Sequence, residues 1–281
     1  LHAPPPGGVA GVSPLVDGSG PGTPKPNPRQ ESEIGAKAAG GSNRQALTEE
    51  DRQGRELFQT WAEAAGCQVQ VDAIGNLFAT RPGSDPQADP ILIGSHLDTQ
   101  PTGGRFDGVY GVLAGLEVVR SLNDLGLQTR SPLIVASWTN EEGARFAPAM
   151  VSSGVFAGAM SVEDAYAIKD GEGKTLGDEL APIGYKGGDP VGGREIKAMF
   201  ELHIEQGPVL DRQQLHIGIV DAIAGLFKWQ ARFIGEANHA GTTPMTMRRD
   251  AFQAVAELSG EIPRILEENG SIRSVATIGR V

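Results

Sequence analysis

Six residues carry the chemistry this sequence offers: His96, Asp98, Asp107, Glu141, Glu142 and His203. A lone histidine after a strand is more often hydrogen-bonded structure than a ligand, and adjacent glutamates usually sit on a solvated face. Here all six fall at the ends of predicted strands or helices, on the side where an α/β sheet presents its ligand site. Carboxylates gathered there would repel one another, and a divalent cation removes that cost. Imidazoles with carboxylates form a borderline-to-hard donor set suited to Zn²⁺, with Mn²⁺, Co²⁺ or Ni²⁺ also accommodated. No cysteine is a ligand candidate. His96 and Asp98 are two apart, so on an extended segment their side chains share a face and the carboxylate is placed to orient the imidazole. Asp107, at a predicted helix start, could bridge two ions. Of the vicinal glutamates only one easily faces the metals, which leaves its neighbour to take a proton. Ligand plus base is what metal-activated hydrolysis requires. His2 and His216 lack such company and read as structural.

The elements that must position these residues follow from the pattern. Thr48 caps a predicted helix in which Leu57, Phe58, Trp61 and Ala65 recur at three- and four-residue spacing until Gly66 stops it. Val69 to Val71 and Asn76 to Ala79 are two short strand-like pieces, and 81–90 is a proline- and glycine-rich loop. Ile91 to Ile93 and Leu133 to Ser137 are continuous apolar runs, as expected of strands buried on both faces. Between them Val109, Val112, Leu113, Leu116, Val119 and Leu122 mark one face of a helix that begins just after Asp107. Ala198 to Ile204 reads as a third strand carrying His203. From about Ile217 the texture changes. Lys228 to Ile234 partly alternates, Ala251, Val255, Leu258, Ile262 and Leu266 define a helix, and Ser274 to Val281 begins a strand. The expected fold is α/β: a mixed, mostly parallel sheet with helices on both faces in a catalytic domain over 34–214, and the start of a smaller α/β lid over 215–281.

The 281 residues carry 24 basic and 35 acidic side chains, a formal charge of −11. That balance repels phosphate backbones and argues against nucleic acid or an anionic membrane as partner. No apolar run approaches the roughly 18 residues that span a bilayer, no signal-peptide pattern opens the chain, and the single Cys67 cannot form an intrachain disulfide. A cytoplasmic location is therefore expected. Eight of the 19 prolines lie in the first 28 residues, so 1–33 reads as a disordered tail or an artefact of where the chain was started.

The strings GSHLDTQPTGGRFDG (94–108), WTNEEGARF (138–146), ELHIEQGPVL (201–210) and NHAGTTPM (238–245) together resemble the hydantoinase/carbamoylase branch of the two-metal aminoacylase/carboxypeptidase-like hydrolases. Its members include N-carbamoyl-L-amino-acid hydrolase, β-ureidopropionase and allantoate amidohydrolase. The resemblance covers about residues 34 to 281. It implies that His96, Asp107 and His203 hold one metal and that Asp107 bridges to a second held by Glu142. It makes Glu141 the general base and Asp98 the residue that orients His96. His239 corresponds to a histidine that reaches a neighbouring subunit's site and steadies the oxyanion, which implies a homodimer formed through the lid. Gln206 and Lys228 match positions near the substrate.

In that family a late histidine completes the second metal, and an asparagine and an arginine of the small domain grip the substrate carboxylate; all would lie beyond Val281. The expectation is therefore a fragment, inactive or poorly folded alone, of a metal-dependent hydrolase of linear carbamoyl or ureido C–N bonds. The expected substrate is a small anion, an N-carbamoyl-L-amino acid or allantoate. A peptidase or aminoacylase on the same scaffold, and a non-catalytic binding module or remnant, are the alternatives.

Overall fold

The computed structural model describes residues 28–281, in two compact units that divide between His216 and Ile217. The tail expected over 1–33 lies outside the described residues as far as residue 27. Residues 28–33, by contrast, form a helix, α1 (Pro28–Glu33), which continues into the first unit through a buried Glu31. Helix α2 (Glu49–Ala64) begins where expected, with the Thr48 hydroxyl accepting the Asp51 N–H. Its buried face carries Phe58, Trp61 and Ala62.

Strands β1 (Gln68–Val71), β2 (Leu77–Arg81) and β3 (Ile91–His96), helix α3 (Val109–Asp124) and strand β4 (Leu133–Trp138) follow. After them come α4 (Val151–Phe156), α5 (Val162–Tyr166), α6 (Leu176–Leu180), β5 (Ala198–Phe200) and α7 (Val209–Arg212). The sheet order is β1-β2-β4-β3-β5. The β4, β3 and β5 side is parallel, and β1 and β2 add to it antiparallel, so the sheet is mixed with the parallel half bearing the site. One face, with Leu77, Ala79 and Val135, packs on α2 and α3; the other, with Phe78, Ile134, Ala136 and Trp138, is covered by Phe156 of α4 and by Ile196. Every residue of β4 is buried, which is why its sequence shows no alternation.

The third strand is shorter than its apolar run suggests. Pairing with β3 ends at Phe200, and the chain then turns toward α3, where the Leu202 carbonyl approaches Gly111 so closely that a Cβ there would lie 2.6 Å from it. Only glycine permits that approach, and the segment carrying His203 lies past the end of the β3 pairing.

In the second unit, Asp250 caps α8 (Ala251–Asn269) through the Phe252 N–H. Residues 217–239 have no regular structure, and neither Lys228 to Ile234 nor Ser274 to Val281 forms a strand. A strand exists only through its hydrogen-bonded neighbour, and among the described residues no second segment pairs with either. Ile219, Ile223, Trp229 and Val275 are correspondingly exposed. No described helix is long and apolar enough to cross a membrane.

Candidate metal centre

Parallel β3 and β4 end side by side, His96 opposite Trp138, so the loops leaving them are neighbours. From β3 come His96 and Asp98. From β4, through Asn140 in the left-handed region at φ 54°, come Glu141 and Glu142; asparagine tolerates that conformation better than most residues. Asp107 precedes the first turn of α3, and Gly108 beside it, at φ 68°, makes room for the His96 ring: a Cβ there would lie 2.4 Å from it.

The structure brings His96, Asp107 and His203 together, with one ligand atom of each within 4.8 Å of the others. The His96 Nδ1 bonds the Asp98 main-chain carbonyl at 2.8 Å, and the His203 Nδ1 bonds the Ile204 carbonyl at 2.9 Å. A carbonyl accepts only, so each Nδ1 carries an N–H, and in the neutral ring each Nε2 keeps its lone pair, the tautomer a metal needs. The freed atoms face carboxylates: His203 Nε2 lies 3.2 Å from Asp107 Oδ1, and His96 Nε2 lies 3.4 Å from Glu141 Oε2. Burial favours the neutral His96 ring, but Asp98, Glu141 and Glu142 outweigh it and hold its pKa above the usual value.

One expected contact is replaced by another. The Asp98 carboxylate does not bond the His96 ring, from whose Nδ1 its Oδ1 stands 4.0 Å away. Instead it accepts the backbone N–H groups of Glu141 at 3.1 Å and Glu142 at 3.2 Å. Asp98 thus orients the histidine through its main chain and the glutamate pair through its side chain. Burial pushes its carboxyl up to about 6.

The glutamates diverge. Burial raises the Glu141 pKa above the ordinary carboxylate value, although His96 opposes this. Glu142 is held by Gln100: its Oε2 accepts from that amide at 2.9 Å, while its Oε1 is buried without any hydrogen-bond partner. A buried, electron-rich oxygen lacking a donor is costly and is what a cation would satisfy, so the donor set fits a divalent ion. Gln206 donates to Asp107 Oδ2 at 2.5 Å.

His239 and Lys228 belong to the second unit, where both are exposed. The His239 Nδ1 accepts the Gly241 and Thr242 N–H groups at 3.1 and 3.2 Å, which in the neutral ring leaves the proton on Nε2.

Three contributors are not visible in the residue pattern. Gln100 holds Glu142. The Ser95 hydroxyl donates to Glu201 at 2.5 Å beside the site. Arg55 of α2, buried and paired with Asp51 at 2.9 Å, donates to the hydroxyl of Thr139, just ahead of the glutamates. The proximity of Ser95 to His96, and an arginine four residues after Asp51 on the face of α2 that carries Phe58 and Trp61, were the available signals.

The family model of peptidase family M20/M25/M40 matches residues 92–275. An N-carbamoyl-L-amino-acid amidohydrolase of Rhizobium meliloti is 54% identical over 238 residues, covering 85% of this chain and 57% of its own. The crystal structure of a hydantoinase/carbamoylase family amidase from Burkholderia ambifaria superposes with a TM-score of 0.75 at 52% identity, over 90% of this chain and 62% of that one. A ureidoglycolate hydrolase of Oryza sativa is 35% identical over 245 residues, covering 83% of this chain and 49% of its own. The chain therefore spans less than two thirds of the length of each.

Proposed function

The chain belongs to peptidase family M20/M25/M40, and from that premise we propose that it serves a metal-dependent hydrolase of linear carbamoyl or ureido C–N bonds, acting on N-carbamoyl-L-amino acids. The observation that carries the reading is the pair of Nδ1-anchored histidines converging on Asp107 with Glu141 beside them. The substrate class is supported by the 54% identical N-carbamoyl-L-amino-acid amidohydrolase.

In this reading His96, Asp107 and His203 hold one divalent ion, and Asp107 and Glu142 contribute to a second. Zn²⁺ is the ion best matched to the donors, with Mn²⁺, Co²⁺ and Ni²⁺ as alternatives. When bound, the ions supply Lewis-acid polarisation of water and of the carbamoyl oxygen. Glu141 takes the proton of the attacking water and returns it to the departing nitrogen, a task its raised pKa suits. The His239 Nε2–H donates to the oxyanion, and Gln206 and Lys228 line the substrate's path. Addition of one water to R–NH–CO–NH₂ gives R–NH₂, carbon dioxide and ammonia. The working enzyme is a cytoplasmic homodimer joined through the lid.

Hydrolysis by the full-length protein, loaded in turn with each metal, tests this, read as ammonia released from N-carbamoyl-L-amino acids, allantoate and ureidoglycolate and as free amino acid released from N-acetyl amino acids and dipeptides. Turnover highest on N-carbamoyl-L-amino acids is expected. The ureidoglycolate hydrolase relative makes ureido acids the second reading, and preference for N-acetyl amino acids or dipeptides would overturn both.

A further inference from the structure

We propose that Arg44 is a positioning residue for the metal centre, holding the turn that carries His96 and Asp98; the proposal rests on the reading of that site as a metal centre. The Arg44 side chain is 1% exposed. Its Nε donates to the Leu97 carbonyl at 2.8 Å, between the two site residues. Its own backbone N–H donates to the Thr99 hydroxyl at 2.8 Å, and its carbonyl accepts the Thr99 N–H at 2.8 Å. Residue 44 thus grips 97–99 at three points.

The rest of the guanidinium faces the other way. Nη1 donates to the carbonyls of Glu31 at 2.8 Å and Ile34 at 3.1 Å, at the end of α1, and the Glu31 carboxylate lies 3.7 Å from Nε. The neighbouring helix leaves space for both side chains: a Cβ on Gly54 would lie 2.6 Å from Glu31 Oε1 and 2.9 Å from Arg44 Cδ. A buried ion pair is weak support for stability, because desolvation offsets much of the attraction. What the guanidinium offers here is directional donation to several carbonyls at once, which no apolar side chain can replace. The turn it fixes is the one on which the site depends. The His96 ring takes its tautomer from the Asp98 carbonyl, and the Asp98 carboxylate fixes the backbone of Glu141 and Glu142. Slack at Leu97 therefore reaches both metal-bearing loops.

The test measures Zn²⁺ affinity of the full-length protein, stripped of metal and titrated against a competing chelator, alongside thermal denaturation. Arg44→Met combined with Glu31→Gln removes both buried charges together, and Arg44→Lys keeps the charge but loses the fork. Affinity falling about 10- to 100-fold in the double variant, the range typical of groups that orient metal ligands, with a smaller loss in Arg44→Lys, is expected. Leu176→Ala, in a core cluster that contains neither Arg44 nor any of the six site residues, lowers the melting temperature at unchanged affinity and controls for general destabilisation. Wild-type affinity in both Arg44 variants, whatever their melting temperatures, would overturn the proposal. Should the double variant not fold, Arg44→Lys and Thr99→Val decide on the same criterion. Wild-type protein that binds neither Zn²⁺ nor another divalent ion would overturn the metal reading itself, and that arm is read before any variant is compared.

Discussion

The Asp98 carboxylate joins its own loop to the next one by accepting the backbone N–H of Glu141 at 3.1 Å, with Glu142 bound alongside at 3.2 Å. The loops after β3 and β4, more than forty residues apart in sequence, are thereby set by one buried side chain. Asp98→Asn replaces one acceptor oxygen with an NH₂ that meets a backbone N–H donor to donor. The near-isosteric amide should therefore damage the site almost as much as alanine does. An unsatisfied buried donor costs about 1–3 kcal/mol, so a loss of roughly 10- to 100-fold in kcat/KM of the full-length enzyme is expected, measured beside Asp98→Ala. If the asparagine variant retained wild-type kcat/KM, the clamp would have no functional weight.

Glu31 gives a pH signature outside the metal centre. Burial raises its pKa from 4.5 to about 7, against the attraction of Arg44. Its contribution to stability is fully present below pH 4.5, where both states are protonated. That contribution falls as the pH rises toward 7, because the unfolded chain ionises first. At about 1.4 kcal/mol per pH unit the fall between 4.5 and 7 amounts to at most about 3–4 kcal/mol. Glu31→Gln should thus raise the melting temperature relative to wild type more at pH 8 than at pH 5. An equal difference at both values would contradict the assignment.

Cys67 is buried, and burial pushes its thiol up to about 11. The thiolate is the reactive form. Native protein should therefore resist a disulfide reagent at pH 8 and react with one equivalent per chain once denatured, a difference read directly by absorbance.

His239 presents Nε2–H because Nδ1 accepts two backbone donors. If it stabilises the oxyanion, His239→Ala in the full-length enzyme lowers kcat by roughly 10²–10³, as loss of one oxyanion donor does elsewhere, while metal content is unchanged. A lowered metal content would instead assign it to ligation.

Much of this was legible in the residues. Thr48 announced α2, the apolar runs at 91–93 and 133–137 announced β3 and β4, and the six chemistry-bearing residues lie at element ends. Less legible was what depends on distant partners. Arg44 sits in a polar stretch without periodicity, and its carbonyl partner Leu97 is 53 residues away. The spacing of His96 and Asp98 correctly placed them together but could not tell a carboxylate contact from a carbonyl contact. The apolar run through Ile204 gave no sign that pairing would end at Phe200 and that the Leu202 carbonyl would lie against Gly111. Alternation at 228–234 signalled a strand whose pairing no described segment provides.

In the proposed mechanism Glu141 moves the proton while its neighbours hold the metal. Full-length Glu141→Gln, assayed for metal stoichiometry and for ammonia release from an N-carbamoyl-L-amino acid in the same preparation, tests it most directly. Wild-type metal content with turnover reduced at least about a thousandfold is expected, in keeping with the loss of a general base. Turnover near the wild-type rate with metal still bound would contradict it.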